Sequence, residues 1–225
     1  MSERPGAKIA TRPLHFIVMA DCSGSMAADG KMHALNNALR ETVPHLVDIA
    51  EQNPHADLLI RVVRFASGAD WHVGEPTPAA DFRWVDLEAG GYTDLGAALD
   101  LVSAELEVPP MEARALPPAI VLISDGMPTD DWQAALDRLL RLPWGQRSVR
   151  TAVAIGRDAA RDVLAEFVTD KEIGPVSANH PEQLVRLIRW ASTQVGKAAS
   201  LTAPESGVAP AGPVPFADDD DSVVW

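Results

Sequence analysis

The chain has 225 residues, 47% of them apolar, and a formal net charge of −13. That length can bury a full core as one domain plus a tail, and the acidic excess argues against nucleic acid or an acidic membrane surface as the main partner. Cys22 is the one cysteine, which excludes an internal disulfide. No apolar stretch approaches membrane-spanning length, and Met1–Pro13 lacks the apolar core of a secretory signal, so a cytoplasmic location is expected.

In chain order, residues 1–12 read as a loose polar arm. Phe16–Ala20 has the length and composition of a strand buried on both faces. The run stops at Asp21. Ser23 and Ser25 follow at alternate positions, with Gly24 between them to allow a tight turn. A helix is expected over about Lys31–Glu51, its apolar face formed by Met32, Leu35, Leu39, Val43, Leu46 and Ala50. Pro44 should kink or break it.

Ala56–Ala66 reads as a strand, Ser67-Gly68 as a turn and Ala69–Val73 as an antiparallel return strand. Gly74–Ala80 is a Pro-rich loop, and Phe82–Leu87 is ambiguous between strand and coil. Asp94–Glu107 is helical, with Leu95, Ala98, Leu99, Val102 and Leu106 inward. Val108–Pro118 holds four prolines and reads as a surface loop. Ala119–Ser124 is an apolar strand delivering Asp125. A helix over about Asp130–Leu142 carries Asp130 and Asp131 in its first turn, where the helix dipole favours acids. Val149–Ile155 is a strand, Asp158 a candidate cap for a helix ending near Thr169, Gly174–Ser177 a short strand and Pro181–Val195 the last helix. This alternation implies a Rossmann-like, doubly wound α/β domain over residues 13–196, with a mostly parallel sheet, one antiparallel edge strand and helices on both faces.

Asp-x-Ser-x-Ser at the carboxyl end of a strand supplies one carboxylate and two hydroxyls, oxygen ligands that suit a hard cation such as Mg²⁺. A Ser-capped turn would use the same residues. At these positions the chain resembles the von Willebrand factor A (vWA) domain and its metal-ion-dependent adhesion site (MIDAS). The resemblance implies two further pieces. Thr93 lies in the glycine-rich Gly90–Gly96 loop that enters a helix, and Asp125 lies in Ile120–Gly126 at the end of a strand. The implied ligand set is Asp21, Ser23, Ser25, Thr93 and Asp125, holding Mg²⁺ or Mn²⁺. If the hydroxyls bind directly and the acids act through water, the ion keeps much of its charge and one exchangeable position. Similar proteins fill that position with an Asp or Glu side chain of a protein ligand.

Asp21–Met26 and Gly90–Leu99 resemble the bacterial tellurite-resistance-associated (TerY-like) group most. That likeness implies a metal-dependent interaction module in a stress or defence pathway, with partners such as a protein kinase and a PP2C-type phosphatase. A vWA subunit on an AAA-type ATPase or chelatase is the alternative, and a Mg²⁺-dependent hydrolase the third reading. No catalytic motif supports the third: Ser23 stands where phosphoaspartate hydrolases carry a second acid, and there is no Gly-x-Ser-x-Gly and no phosphate loop. A non-enzyme is expected. The six histidines lack ligand spacing and read as surface or satisfied core residues. Cys22 alternates with the ligands and reads as a small apolar filler.

Residues 197–225 form the tail. Ala203–Pro215 is a Pro/Ala/Gly linker. Phe216, Asp218, Asp219, Asp220, Asp221 and Trp225 then compose a candidate docking peptide, or a solvated acidic run.

Overall fold

The computed structural model describes residues 11–179 and 182–186. The acidic tail with Phe216, Asp218–Asp221 and Trp225 lies outside them, as do residues 1–10 and the rest of the last predicted helix beyond 182–186, which is helical.

Among the described residues, six strands form one sheet in the order β3-β2-β1-β4-β5-β6. They are β1 (Arg12–Asp21), β2 (Ala56–Ala66), β3 (Gly68–Pro78), β4 (Ala119–Ser124), β5 (Val149–Ile155) and β6 (Val176–Ala178). β3 alone pairs antiparallel. The helices are α1 (Lys31–Gln52), α2 (Leu95–Glu105), α3 (Trp132–Arg141), α4 (Pro143–Arg147) and α5 (Arg161–Phe167), and a 3₁₀ segment, Gly24–Gly30, precedes α1. The doubly wound expectation holds.

Two apolar cores, one on each face of the sheet, follow from the strand alternation. Phe16, Val18 and Ala20 of β1 pack with α1 residues Leu35, Leu39 and Leu46. Ile17 and Met19 point the other way, to α2 residues Leu99 and Val102 and α3 residues Leu136 and Leu139. Because β1 is central and covered on both sides, its carboxyl end opens where β1 and β4 feed loops into helices, the usual ligand position of such sheets.

Several local expectations are corrected. Pro44 lies inside α1 without ending it, since the buried stripe Met32, Leu35, Leu39, Leu46 and Ile49 holds the helix on the sheet across it. β3 runs to Pro78 rather than stopping at Val73, so most of Gly74–Ala80 is strand. It is an edge strand with register shifts against Ile60–Val63, the position where proline is tolerated. Phe82–Leu87 is coil tied to α1 by the Asn36 side chain, which accepts from Leu87 N (2.8 Å) and donates to Leu87 O (2.9 Å). The Val108–Pro118 loop is not purely superficial, because Met111, Ala115 and Leu116 are buried. Asp158 does not cap α5, whose N-cap position is Ala160 with no side-chain bond. His15 is buried, and its Nε2 has no partner among the described residues, so it is not a satisfied core histidine.

Candidate metal centre

The five residues of the expected set come together at the carboxyl ends of β1 and β4. Asp21 ends β1, and its side chain is fully buried among the neighbouring strands. Ser23 N donates to Asp21 Oδ1 at 2.8 Å, and the Ser124 hydroxyl donates to Oδ2 at 2.5 Å. Burial pushes the Asp21 carboxyl above its ordinary value. The hydrogen bonds from Ser124 and Ser23 pull it back, and the charge of Asp125 pushes it up again.

The hydroxyls form a chain. Ser23 Oγ lies 2.9 Å from Ser25 Oγ, and Ser25 Oγ donates to Asp125 Oδ1 at 2.7 Å. Asp125 Oδ2 pairs with Lys31 Nζ at 2.8 Å, with the Asp125 side chain fully enclosed. Both oxygens of both acids are therefore engaged by donors of the chain itself.

Thr93 is delivered by the loop before α2. Thr93 N donates to Thr129 Oγ1 (3.1 Å), and Thr129 N donates to Thr93 O (2.9 Å). The Thr129 hydroxyl donates to Asp94 Oδ1 (2.8 Å), and Asp94 Oδ2 accepts from Gly68 N (2.7 Å). Asp130 was expected to favour the start of α3. Instead its two oxygens accept from Gly96 N and Ala97 N, both at 2.9 Å, and so cap the first turn of α2. Asp131 is the residue that caps α3, accepting from Ala134 N.

The two loops are also tied through their backbones, Gly24 N to Gly91 O (3.0 Å) and Gly90 N to Cys22 O (2.8 Å). Gly91 has φ +92°, and a Cβ there would come within 2.6 Å of Ser67 Oγ, so only glycine suits the turn. A Cβ on Gly126 would stand 3.5 Å from Ser25 Oγ and 3.6 Å from Thr93 Oγ1. Both hydroxyls therefore border the Cα of Gly126, which leaves the space between the loops clear. Cys22 is buried in the apolar core and its thiol is pushed up to about 12, first by burial and then by Asp21, as a filler role requires.

The donor set fits a hard divalent cation: three hydroxyls and two carboxylates, all oxygen, border one space. Among the described residues no three His, Cys, Asp or Glu side chains converge, so a centre here draws on hydroxyls. Sequence reasoning missed Ser124, Lys31, Gly126, Thr129 and Asp130. Asp130 and Thr129 gave no local signal, because their partners lie more than thirty residues away. Lys31 gave a faint one, since a cation at the first position of a helix opposes the dipole.

Neither the comparison with family models nor that with curated proteins gives a match. Solved structures do. The ArnB paralog VWA2 from Sulfolobus acidocaldarius is similar at 20% identity and TM-score 0.57, over 80% of this chain and 45% of that one. A von Willebrand factor type A protein from Catenulispora acidiphila is similar at 21% identity and TM-score 0.60, over 83% of this chain and 43% of that one. Proximal thread matrix protein 1 from the mussel byssus, in a form with a zinc-occupied MIDAS motif, is similar at 17% identity and TM-score 0.64, over 83% of this chain and 48% of that one. The chain thus spans less than half the length of each of these proteins. No helix among the described residues is long and apolar enough to cross a membrane. At these identities the likeness speaks to architecture alone, and that architecture is the von Willebrand factor A fold.

Proposed function

We propose that the chain is a metal-dependent protein-binding module. Ser23, Ser25 and Thr93 hold one divalent ion directly, and Asp21 and Asp125 orient the hydroxyls and act through water. The observation that carries this reading is the engagement of all four carboxylate oxygens by Ser23 N, Ser124 Oγ, Ser25 Oγ and Lys31 Nζ. Acids already tied in this way leave the neutral hydroxyls as ligands. An ion held so retains positive charge and, when bound, offers a Lewis-acidic position for an acidic side chain of a partner. Mg²⁺ or Mn²⁺ is the proposed ion. The zinc in the MIDAS of the mussel protein supports a divalent ion on this fold without choosing among metals.

Among the described residues, four large apolar side chains are strongly exposed, and two of them flank ligands in sequence: Tyr92 (70%) beside Thr93 and Met127 (67%) two residues after Asp125. Apolar flanks around a charged centre suit a protein partner, where such residues anchor the contact. The module binds and does not catalyse. The likeness of Asp21–Met26 and Gly90–Leu99 to the tellurite-associated group supports a role in a stress or defence system, with a protein kinase and a PP2C-type phosphatase as the proposed partners. Calorimetric titration with Mg²⁺ and Mn²⁺ tests the ion. Asp21→Ala should abolish binding and also lower stability, because Ser23 N and Ser124 Oγ lose their buried acceptor. Pull-down of acidic partners with and without EDTA tests the rest, and capture that ignores both EDTA and Thr93→Ala refutes the reading.

A further inference from the structure

Lys31 is the first residue of α1, where the helix dipole is positive, and the first turn holds no acidic residue to offset it. Local helix energetics therefore disfavour a cation there. Its partner lies elsewhere: Nζ pairs with Asp125 Oδ2 at 2.8 Å, with the Lys31 side chain only 12% exposed and that of Asp125 fully enclosed. Gly156, at φ +79° in the loop after β5, leaves room for it, since a Cβ there would stand 3.3 Å from Lys31 Cε and 3.5 Å from Nζ. The lysine is thus seated between the loops that follow β4 and β5, at the carboxyl edge of the sheet.

We propose that Lys31 is the resident countercharge of this centre and sets both its metal affinity and its preference for acidic partners. This rests on the metal reading above. Asp21 and Asp125 bring two negative charges into an enclosed site, and a divalent ion alone would cancel them. With the ammonium beside Asp125 the loaded site keeps one net positive charge, which a partner carboxylate then neutralises. With no ion bound, the same ammonium keeps an enclosed carboxylate paired, and the loops retain their shape. The cost is a weaker hold on the ion.

Calorimetric titration of the full chain with Mg²⁺ and with Mn²⁺, on wild type, Lys31→Met and Lys31→Arg, tests this. Lys31→Met should bind roughly tenfold tighter or more, and Lys31→Arg should stay near wild type. Thermal unfolding gives a second readout. Lys31→Met should melt lower than wild type in EDTA, and saturating Mg²⁺ should recover the loss. Equal metal affinity for wild type and Lys31→Met, with the same drop in melting temperature with or without Mg²⁺, makes Lys31 a merely structural residue and overturns the inference. Absence of metal binding in all three proteins overturns the metal reading itself, and the inference with it. Binding by Lys31→Met but not by wild type supports both.

Discussion

Asp130→Ala isolates the link between helix capping and the proposed metal site. Asp130 is partly buried and gives both oxygens to the first-turn amides of α2, those of Gly96 and Ala97, at 2.9 Å each. Losing a side-chain acceptor at a helix start costs about 1 kcal/mol, and losing its charge at the positive end of the dipole adds up to about 1 kcal/mol. The total is about 2 kcal/mol, and for a domain of this size that lowers the melting temperature by about 4–8 °C. Thr93 directly precedes this turn, so Mg²⁺ affinity should fall in the same variant while Asp21, Ser23 and Ser25 are untouched. Asp130→Asn should behave almost as badly, since an amide has one acceptor oxygen for two N–H donors. Scanning calorimetry with and without Mg²⁺ measures both effects. A shift below about 1 °C in Asp130→Ala would show that α2 is held by its apolar face alone and that the cap argument is wrong.

Cys22, with its thiol at about 12 and its side chain in the core, should resist thiol reagents at pH 8 until the protein is unfolded; rapid labelling of native protein would contradict the packing described here. His15 lies below its ordinary value through burial and the nearby Arg61, with Glu112 and Glu105 opposing. Its unfolded form takes up a proton below about pH 6.5 while the folded form resists it, so this contribution to stability is full above that pH and lost as pH falls. Unfolding by urea at pH 7.5 and 5.5 should show the loss, and His15→Gln should reduce it; an unchanged pH slope would refute the assignment. Removing Phe216–Trp225 should leave the melting temperature unchanged and weaken a partner complex, and equal partner affinity in the truncated protein would make the acidic run a solvated tail.

The fold was legible because the parallel strands carry apolar runs, such as Phe16–Ala20 and Ala119–Ile123, bounded by turn residues and helical patterns. Ala56–Ala66, Ala119–Ser124 and Val149–Ile155 end where the composition changes. Edges were less legible. β3 carries prolines that a buried strand would refuse, so its second half reads as loop until its place at the sheet margin is known. The proposed ligand residues could be singled out from their motif pieces, but the groups that support them could not. Asp130 reads as a first-turn acid of its own helix, and only the packing of α2 against α3 turns it toward Gly96 and Ala97. The burial of Asp21 was not legible, because sequence shows where a strand ends and not what closes over it.

The sheet order carries a consequence for folding. β1 sits between β2 and β4, and the contacts of β1 and β4 and the loops that follow them join residues about a hundred positions apart: Ser124 to Asp21 spans 103 residues and Ser25 to Asp125 spans 100. Contacts of such high sequence separation form only once the entropy of closing the intervening chain has been overcome. The constellation around Asp21 is therefore absent from any partly folded species in which β1 has met β2 but not β4. A divalent ion would then recognise only the completed topology, and its binding would draw the folding equilibrium forward without rescuing earlier intermediates.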